Sequence, residues 1–592
     1  MSFNDIRAAA DAAETVKIPD DMLPETGGAN YDRPPPGFEI DKDAPEARAA
    51  EYPLNDYGNG QRLMEYYGRD LLFVKRLGWF RWDGQRWVSD EDEIEVRRDA
   101  QKIAAHILQE IPSIALEEWQ RDDLERWQNV RKDFNVLDDI MPKDRTDEQK
   151  ARYAELTMLK VAGEAGADVL SKRRGSHASH AKNTGNTGKI SNLLAEAKIA
   201  ASTGVDSLNR DKLMLNCTNG VLHFVKDAHD VAWGGDGSKW MATLLPQVRE
   251  QKISKMVQAE YQPDAQAPTW VAFLERVQPN PQVRTFLQRW FGYCLTGLTN
   301  EQKLAFFYGI GRNGKSTMVD TIAGIMDDYG TTIPIETLTG SEQRKGSDAT
   351  PDLVRLPGAR FVRASEPEQG TKMKEALIKA LTGGEAIMIR RMHSEFVEIV
   401  PEFKITIGGN HKPEIRGADD GIWRRVMLVP FLEQIPDDEV DKDLPAKLEA
   451  ERDGILAWLV QGCLDFLQQG LPVPQAVKDA TAAYRTQSDP MREFLTTECK
   501  VTGNRRDFVT GRDLRDAFNA WRISQAEATW GPRVTALNIR DRMGVVKGPD
   551  GEIYDKAKSC GDSGYRGLMI SEAAANRVAQ YRDQLNNVGA SK

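Results

Sequence analysis

Residues 306–325, "FFYGIGRNGKSTMVDTIAGI", constrain this chain more than any other stretch. An apolar run ends at Gly309. The next eight residues, Gly309-Ile310-Gly311-Arg312-Asn313-Gly314-Lys315-Ser316, fit the pattern GxxxxGK[ST] throughout. Glycines let the backbone curl so that several N–H groups face one anion. The helix expected over MVDTIAGIM adds its positive end. A strand, this turn and a helix predict a cradle for nucleotide phosphates built by Gly309, Gly311, Asn313, Gly314, Lys315, Ser316 and Thr317. Lys315 is expected to reach the β and γ phosphates, and Ser316 to ligate Mg²⁺. Thr317 is expected to support the helix or the loop. ATP and Mg²⁺ are the cofactors this implies.

Such a cradle needs an acidic partner. "ARFVRASEPEQG" (359–370) reads as a strand ending at Ser365-Glu366, with Glu368 two residues on. Glu366 is preferred as the acid that holds the metal or activates water, and Glu368 is second choice. "FKITIGGN" (403–410) is another strand, ending in Asn410, whose amide can orient water or sense a γ-phosphate. "DDGIWRRVMLVPF" (419–431) sets Arg424 and Arg425 before an apolar strand. One of them is expected to neutralise charge on a phosphoryl group, across a subunit boundary. Between these lies IMIRRMHSEFVEI, read as two short strands around a polar tip. Lys374 and Lys379 precede it, and Arg390, Arg391 and His393 cluster near the tip. A ring of such tips would meet a DNA backbone.

Strand candidates at 304–308, 360–364 and 403–408 alternate with helices after Lys315 and over about 371–381, which predicts α/β. Upstream, LLFVKRLGWFRWDGQRWV reads as a hairpin turning at Asp83-Gly84, with Trp79, Trp82 and Trp87 in its core. Residues 92–170 favour helices. "SKRRGSHASHAKNTGNTGK" (171–189) reads as a basic, solvated connector carrying His177 and His180. LMLNCTNGVLHF reads as strand, Asn219-Gly220 turn, strand. TWVAFLERV and VRTFLQRWFGYCLTG read as helices, and 436–480 as helical. The organisation expected is an acidic arm (1–50), an α+β domain (51–265), a helical collar (266–300), an ATPase domain (301–475) and a small winged-helix-like unit (476–592).

The chain has 592 residues, 40% of them apolar, and a net charge of -11. These values exclude a disordered polymer and argue against a uniformly basic surface, though not against a local basic channel. Residues 1–50 hold 11 acidic and 5 basic residues. No run of 18 apolar residues suggests a membrane span. Five scattered cysteines, none in a CxxC pair, argue against a disulfide framework or a cysteine-built zinc site. Cytoplasm is the expected compartment.

The order GxxxxGK[ST], strand ending Ser-Glu, LTGG, strand ending in Asn and then GIWRR resembles superfamily 3 helicases, most closely the phage and plasmid primase-helicase branch related to the poxvirus replicative helicase. YGNGQRLMEYYGRDLLFVKRLGWFRWDGQRW, LNCTNGVLHF, FLQRWFGYCLTG and NHKPEIRGADDGIWRRVMLVPF carry the resemblance, which spans roughly residues 55–575. It implies a P-loop motor of AAA+-like architecture with an upstream α+β domain and a C-terminal winged-helix-like unit. Gly309, Gly314, Lys315, Ser316 and Thr317 would form the ATP loop, Glu366 the acidic residue and Asn410 the polar sensor. Arg424 or Arg425 would be the neighbouring subunit's arginine finger. Lys379, Arg390, Arg391 and His393 would fall in the DNA-contacting segment. The resemblance further implies a hexameric ring on single-stranded or forked DNA, a separate primase or initiator as partner, and a phage or mobile element in a bacterial cytoplasm. No paired-carboxylate polymerase core accompanies these motifs, so primer synthesis by this chain alone is not expected. Two rivals share the cradle: a DNA-binding ATPase switch, separated by strand displacement, and a metabolic kinase, separated by DNA-stimulated turnover.

Overall fold

The structure, a computed structural model, describes residues 41, 43–227, 239–340, 350, 352–368, 370–390, 396–415 and 420–589. Most of the acidic arm and two of the expected DNA contacts, Arg391 and His393, lie outside those residues. The chain divides into two compact units, residues 1–82 with 88–205, and 83–87 with 206–592.

The first unit contains α1 (Asp56–Tyr67), β1 (Leu71–Val74), β2 (Gly78–Trp82), β3 (Trp87–Asp90), α2 (Ile94–Glu110), α3 (Glu118–Asp138), α4 (Asp147–Thr184), α5 (Thr187–Ala200) and β4 (Ser202–Thr203). The tryptophan hairpin forms within a sheet of order β3-β2-β1-β4, with Trp79 and Trp87 buried as expected but Trp82 only half-buried. Trp79 is fully buried there, against α1, α2 and α5 side chains. Beside it, the buried Arg62 guanidinium donates to both carboxylate oxygens of Glu110, at 2.9 and 3.0 Å, and to the carbonyls of Ala49, Tyr52 and Pro53.

One expectation is overturned here. Residues 171–184 are not a solvated connector but the last turns of α4. Arg174, His177, Ala181 and Thr184 are buried at spacings of three and four, which is one face of a helix. Glycine, serine and asparagine share the exposed face with Lys172, Ala178 and Lys182, and their turn-forming character masks the period when composition alone is read.

The second unit opens with an antiparallel sheet of β5 (Met214–Cys217), β6 (Gly220–Lys226) and β7 (Trp240–Leu245). The first two form the expected hairpin, but its turn is Thr218-Asn219, one residue earlier than read, and Gly220 already pairs with Cys217. Next come α6 (Pro268–Val277) and α7 (Pro281–Cys294). The central sheet comprises β8 (Leu304–Tyr308), β9 (Gly330–Ile333), β10 (Phe361–Ala364), β13 (Lys404–Gly409) and β14 (Val426–Pro430), with α8 (Lys315–Met326) and α9 (Glu375–Gly383) between strands. All of its pairings are parallel, in the order β14-β8-β13-β10-β9. Parallel sheets need both faces covered, and the side chains show it. Ala305, Phe307, Phe361, Met427 and Val429 enter one core, while Leu304, Phe306, Val362, Ile405 and Leu428 enter the other. The weakly apolar "GTTI" of β9 was not foreseen as a strand; at the sheet edge it needs fewer apolar contacts.

Between β10 and β14 stands a separate antiparallel pair, β11 (Ile387–Arg390) and β12 (Phe396–Ile399), as the pattern IMIRRMHSEFVEI predicts. After β14 an irregular segment precedes the stretch expected to be helical, 436–480, which is mostly helical. Residues 431–436 run as an irregular strap, before α10 (Arg452–Gln469) and α11 (Gln475–Ser488). α10 packs on α7 through facing glycines. A Cβ on Gly462 would come within 2.1 Å of the Gln288 carbonyl oxygen, and one on Gly292 within 2.2 Å of the Cys463 nitrogen. Gly462→Ala should therefore destabilise the folded chain by about 1–3 kcal/mol, the usual range for overpacking. A fall in the denaturant midpoint would show this, and an unchanged midpoint would contradict the close crossing.

The chain ends in α12 (Pro490–Thr497), β15 (Cys499–Val501), β16 (Phe508–Thr510), α13 (Gly511–Ser524), α14 (Pro532–Arg540), β17 (Asp555–Ser559), β18 (Asp562–Arg566), β19 (Leu568–Ile570) and α15 (Glu572–Gly589). Phe494, Leu514, Phe518, Trp521, Tyr554 and Leu568 form its own core.

Candidate functional site

Three neighbouring parallel strands, β8, β13 and β10, end side by side, and each delivers a polar residue there. β8 leads through Gly309 into the glycine-rich turn, and α8 begins at Lys315. Gly311, Arg312 and Gly314 have φ of 46°, 51° and 73°, so the turn curls tightly. Gly309 allows no side chain. Its Cβ would lie 2.1 Å from the Phe431 carbonyl oxygen and 2.2 Å from Asn313 Nδ2. The backbone N–H groups of the first turn of α8 have no partner within the helix and are available to an anion.

Lys315 is buried, with 6% of its surface exposed. Its Nζ donates to the carbonyl of Gly309 at 2.6 Å, to Asn313 Oδ1 at 2.9 Å and to Asn410 Oδ1 at 3.1 Å. Burial pulls the ammonium below its ordinary value, and the Glu366 carboxylate opposes that shift. Asn313 is buried, and its Nδ2 donates to the Phe431 carbonyl at 3.2 Å. Ser316 is exposed at the helix start, and Thr317 is half-buried.

Asn410 follows the end of β13. Its backbone N–H donates to Glu366 Oε1 at 2.7 Å and its Nδ2 to Glu366 Oε2 at 3.2 Å. Its Oδ1 accepts from Lys315 and, at 3.2 Å, from the Gly311 N–H. One amide thus joins the turn, the lysine and the acid. The sequence offered Asn410 as a lone strand-end residue; nothing in its spacing announced that it grips both Glu366 oxygens. Glu368 is exposed, and no hydrogen bond of its carboxylate occurs among the described residues, while its carbonyl accepts from Thr371. Of the two acids, the geometry favours Glu366.

The two arginines separate. Arg425 is 9% exposed; its Nε donates to Thr382 Oγ1 at 3.1 Å and a terminal nitrogen to the Gly421 carbonyl at 3.1 Å. Arg424 is exposed. Its carbonyl accepts from Lys303 Nζ, and no hydrogen bond or ion pair of its guanidinium occurs among the described residues. In the turn that leads into β14, one arginine thus goes inward and the other outward.

Lys379 lies half-buried on α9 and Arg390 ends β11, stacked 5.1 Å from the Phe396 ring. Neither lies in the Lys315–Glu366–Asn410 cluster. The strap after β14 was missed in the sequence. Gln434 Nε2 donates to the Ile310 carbonyl, the Ile435 N–H to the Arg312 carbonyl, and Asp437 pairs with Arg312. Its run "FLEQIPDD" carries no motif; only its position after an apolar strand marks it.

Among the described residues no three His, Cys, Asp or Glu side chains gather into a metal cluster. The two oxygen donors expected from the sequence, the Ser316 hydroxyl at the start of α8 and the Glu366 carboxylate held by Asn410, are hard oxygens. They suit Mg²⁺, which takes one or two protein ligands and fills the rest with water and phosphate oxygens.

Residues 60–279 match the profile of a family described as "D5 N terminal like". The protein named "Putative helicase L207/L206" from Acanthamoeba polyphaga mimivirus is 26% identical over 266 residues, covering 42% of this chain and 28% of that protein. "Putative helicase 022R" from Frog virus 3 (isolate Goorha) is 28% identical over 271 residues, covering 42% and 27%. The likeness to the D5-type family model is confined to residues 60–279. A longer match, to "Putative helicase 184R" of Invertebrate iridescent virus 6, is 20% identical over 488 residues and covers 75% of this chain and 47% of that protein. The chain thus spans between about a quarter and a half of the length of these relatives. Among solved structures, the apo C-terminal region of NrS-1 (305-718) aligns with a TM-score of 0.34 at 11% identity, covering 56% of this chain and 94% of that one. No helix among the described residues is long and apolar enough to cross a membrane.

Proposed function

We propose that the chain is an ATP-dependent DNA helicase whose motor is a P-loop ATPase of the AAA+-like superfamily 3 kind. The observation that carries the proposal is the hydrogen-bonded set Lys315–Asn410–Glu366, gathered at the ends of three adjacent parallel strands beside a glycine-rich turn. Ligands of open parallel sheets bind at this carboxyl edge. Phosphate oxygens are stronger acceptors for an ammonium than amide or peptide carbonyls. Lys315 can therefore exchange its three carbonyl partners for the β and γ phosphates of ATP. Ser316 and Glu366 would hold Mg²⁺, which when bound neutralises phosphate charge. Glu366 orients the attacking water and receives its proton, Asn410 senses the γ-phosphate, and an arginine from a neighbouring subunit offsets charge on the transferring group.

Lys379 and Arg390, with Arg391 and His393, are proposed to meet DNA at the β11–β12 hairpin. The order of α12, β16, α13, α14 and the β17–β18 hairpin supports a winged-helix-like C-terminal unit. A hexameric ring on single-stranded or forked DNA, a separate primase or initiator, and a phage or mobile element in a bacterial cytoplasm complete the reading. The viral relatives described above bear the names of amoebal, frog and invertebrate viruses, so the host is the least constrained element.

Steady-state ATP hydrolysis with and without single-stranded DNA tests the proposal. Turnover stimulated by DNA, followed by strand displacement on a forked duplex, is the expected result. Hydrolysis indifferent to DNA would replace the motor by a switch or another substrate.

A further inference from the structure

α11 touches three parts of the second unit that have different jobs. At its C-terminal end Tyr484 Oη donates to the Pro413 carbonyl, and Gln487 Oε1 accepts from Lys412 Nζ at 3.1 Å. Pro413 and Lys412 are three and two residues beyond Asn410. Lys412 also sits 4.3 Å over the ring of Tyr308, the last residue before Gly309. The ring of Tyr484 meets Trp423 edge-on at 5.2 Å, and Trp423 directly precedes Arg424. In mid-helix, Thr481 Oγ1 accepts from the Leu428 N–H of β14 at 2.9 Å. One residue past the helix, Asp489 Oδ1 accepts from Arg542 Nε at 2.7 Å and caps α12 through the Arg492 N–H at 2.9 Å. Arg542 is 3% exposed and also holds the end of α14 through Asn538.

We infer that Tyr484 and Lys412 are positioning residues, through which α11 couples the turn carrying Asn410, the segment carrying Arg424 and the seating of the C-terminal unit. The inference rests on the ATPase reading for the roles of Asn410 and Arg424, but not for the coupling itself. Tyr484 is 2% exposed and bonded at one side to the sensor turn and packed at the other on the arginine segment. A shift of the sensor turn on meeting a γ-phosphate moves the Pro413 carbonyl. A buried tyrosine in close packing cannot absorb that movement alone, so Trp423 or α11 moves with it. The Asp489–Arg542 pair carries the same displacement into α12 and α14. A subunit's own nucleotide site, the arginine it offers a neighbour and its C-terminal unit are thereby tied to one helix. A contiguous contact chain becomes coupling only when both ends bias the same element, which dictates the test.

Tyr484→Phe deletes the hydroxyl and keeps the ring. Arg542→Leu breaks the link to the C-terminal unit far from the nucleotide. Each full-length variant is measured for kcat and KM for ATP, for thermal midpoint, and for amide hydrogen exchange over 404–415 and 475–495 with and without Mg·ATP. Tyr484→Phe should lower kcat on the order of tenfold with KM nearly unchanged. Nucleotide should alter exchange over 475–495 in the wild type and fail to do so in the variant. The double variant should be non-additive in kcat. A merely structural role predicts a lower midpoint, normal kcat per folded molecule and additive effects, and that outcome overturns the inference. The exchange experiment distinguishes the two readings. A wild type that binds nucleotide and responds over 475–495 without turning it over would retire the motor and keep the coupling. Normal DNA-stimulated turnover in Tyr484→Phe with an unaltered exchange response would keep the motor and retire the coupling.

Discussion

Lys315→Ala should reduce ATP turnover on the order of 10³-fold or more, to the level of a blank, while the protein stays folded. The ammonium is the one cation whose Nζ lies within hydrogen-bond reach of the turn, of Asn313 and of Asn410 among the described residues. Its removal deletes a charge at the position where phosphate charge is expected. It also leaves the Gly309 carbonyl and two amide oxygens without their shared donor. The structural cost is modest, because two of these acceptors, the Gly309 carbonyl and Asn410 Oδ1, still receive the Gly311 N–H. Circular dichroism and the thermal midpoint check that the variant is folded, and steady-state turnover with single-stranded DNA reads the effect. Near-normal turnover from a folded Lys315→Ala protein would end the case for this cradle.

How far the sequence could be read follows from what each element must satisfy. β8 was legible because a central parallel strand needs apolar side chains on both faces, and LAFFY supplies them. The glycine-rich turn was legible because backbone curling, a lysine and a hydroxyl leave a fixed spacing. The hairpins at Trp79–Trp87 and at Asn219-Gly220 announced themselves through turn residues between apolar runs. β9 was missed because an edge strand can be built from threonines. Residues 171–184 were misread because their buried face consists of arginine, histidine, alanine and threonine, which no hydrophobic period reveals. The strap at 431–436 works through backbone carbonyls and N–H groups, which sequence does not encode by residue type.

The candidate site was legible in its members and not in its wiring. Lys315, Glu366 and Asn410 could each be placed at a strand end. Which oxygen Asn410 turns to which partner depends on three strands lying in register, and register is a tertiary fact. The choices between Glu366 and Glu368 and between Arg424 and Arg425 were open for the same reason. The arginines differ in which way a side chain faces, and the acids in which of them Asn410 meets.

That facing gives the second large prediction. Arg424→Ala should cost on the order of 10³–10⁵ in turnover, as loss of an arginine finger does in other phosphoryl-transfer sites. Arg425→Ala should instead destabilise the fold by about 1–3 kcal/mol, because it strips donors from the Thr382 hydroxyl and the Gly421 carbonyl in a buried setting. Activity per folded Arg425→Ala molecule should be largely kept. Mixing separates an arginine acting across a subunit boundary from one acting in its own site. Arg424→Ala and Lys315→Ala subunits are each inactive alone. In a mixed ring, an interface is complete where the first supplies the cradle and the second supplies the arginine. Random assembly makes roughly a quarter of the interfaces complete. Regained turnover in the mixture would place Arg424 in its neighbour's site. Failure to regain it in demonstrated mixed rings would put the arginine in its own subunit's site. A large catalytic loss in Arg425→Ala with an intact fold would reverse the assignment of the pair, since the buried side chain would have to leave Thr382 to reach a phosphate.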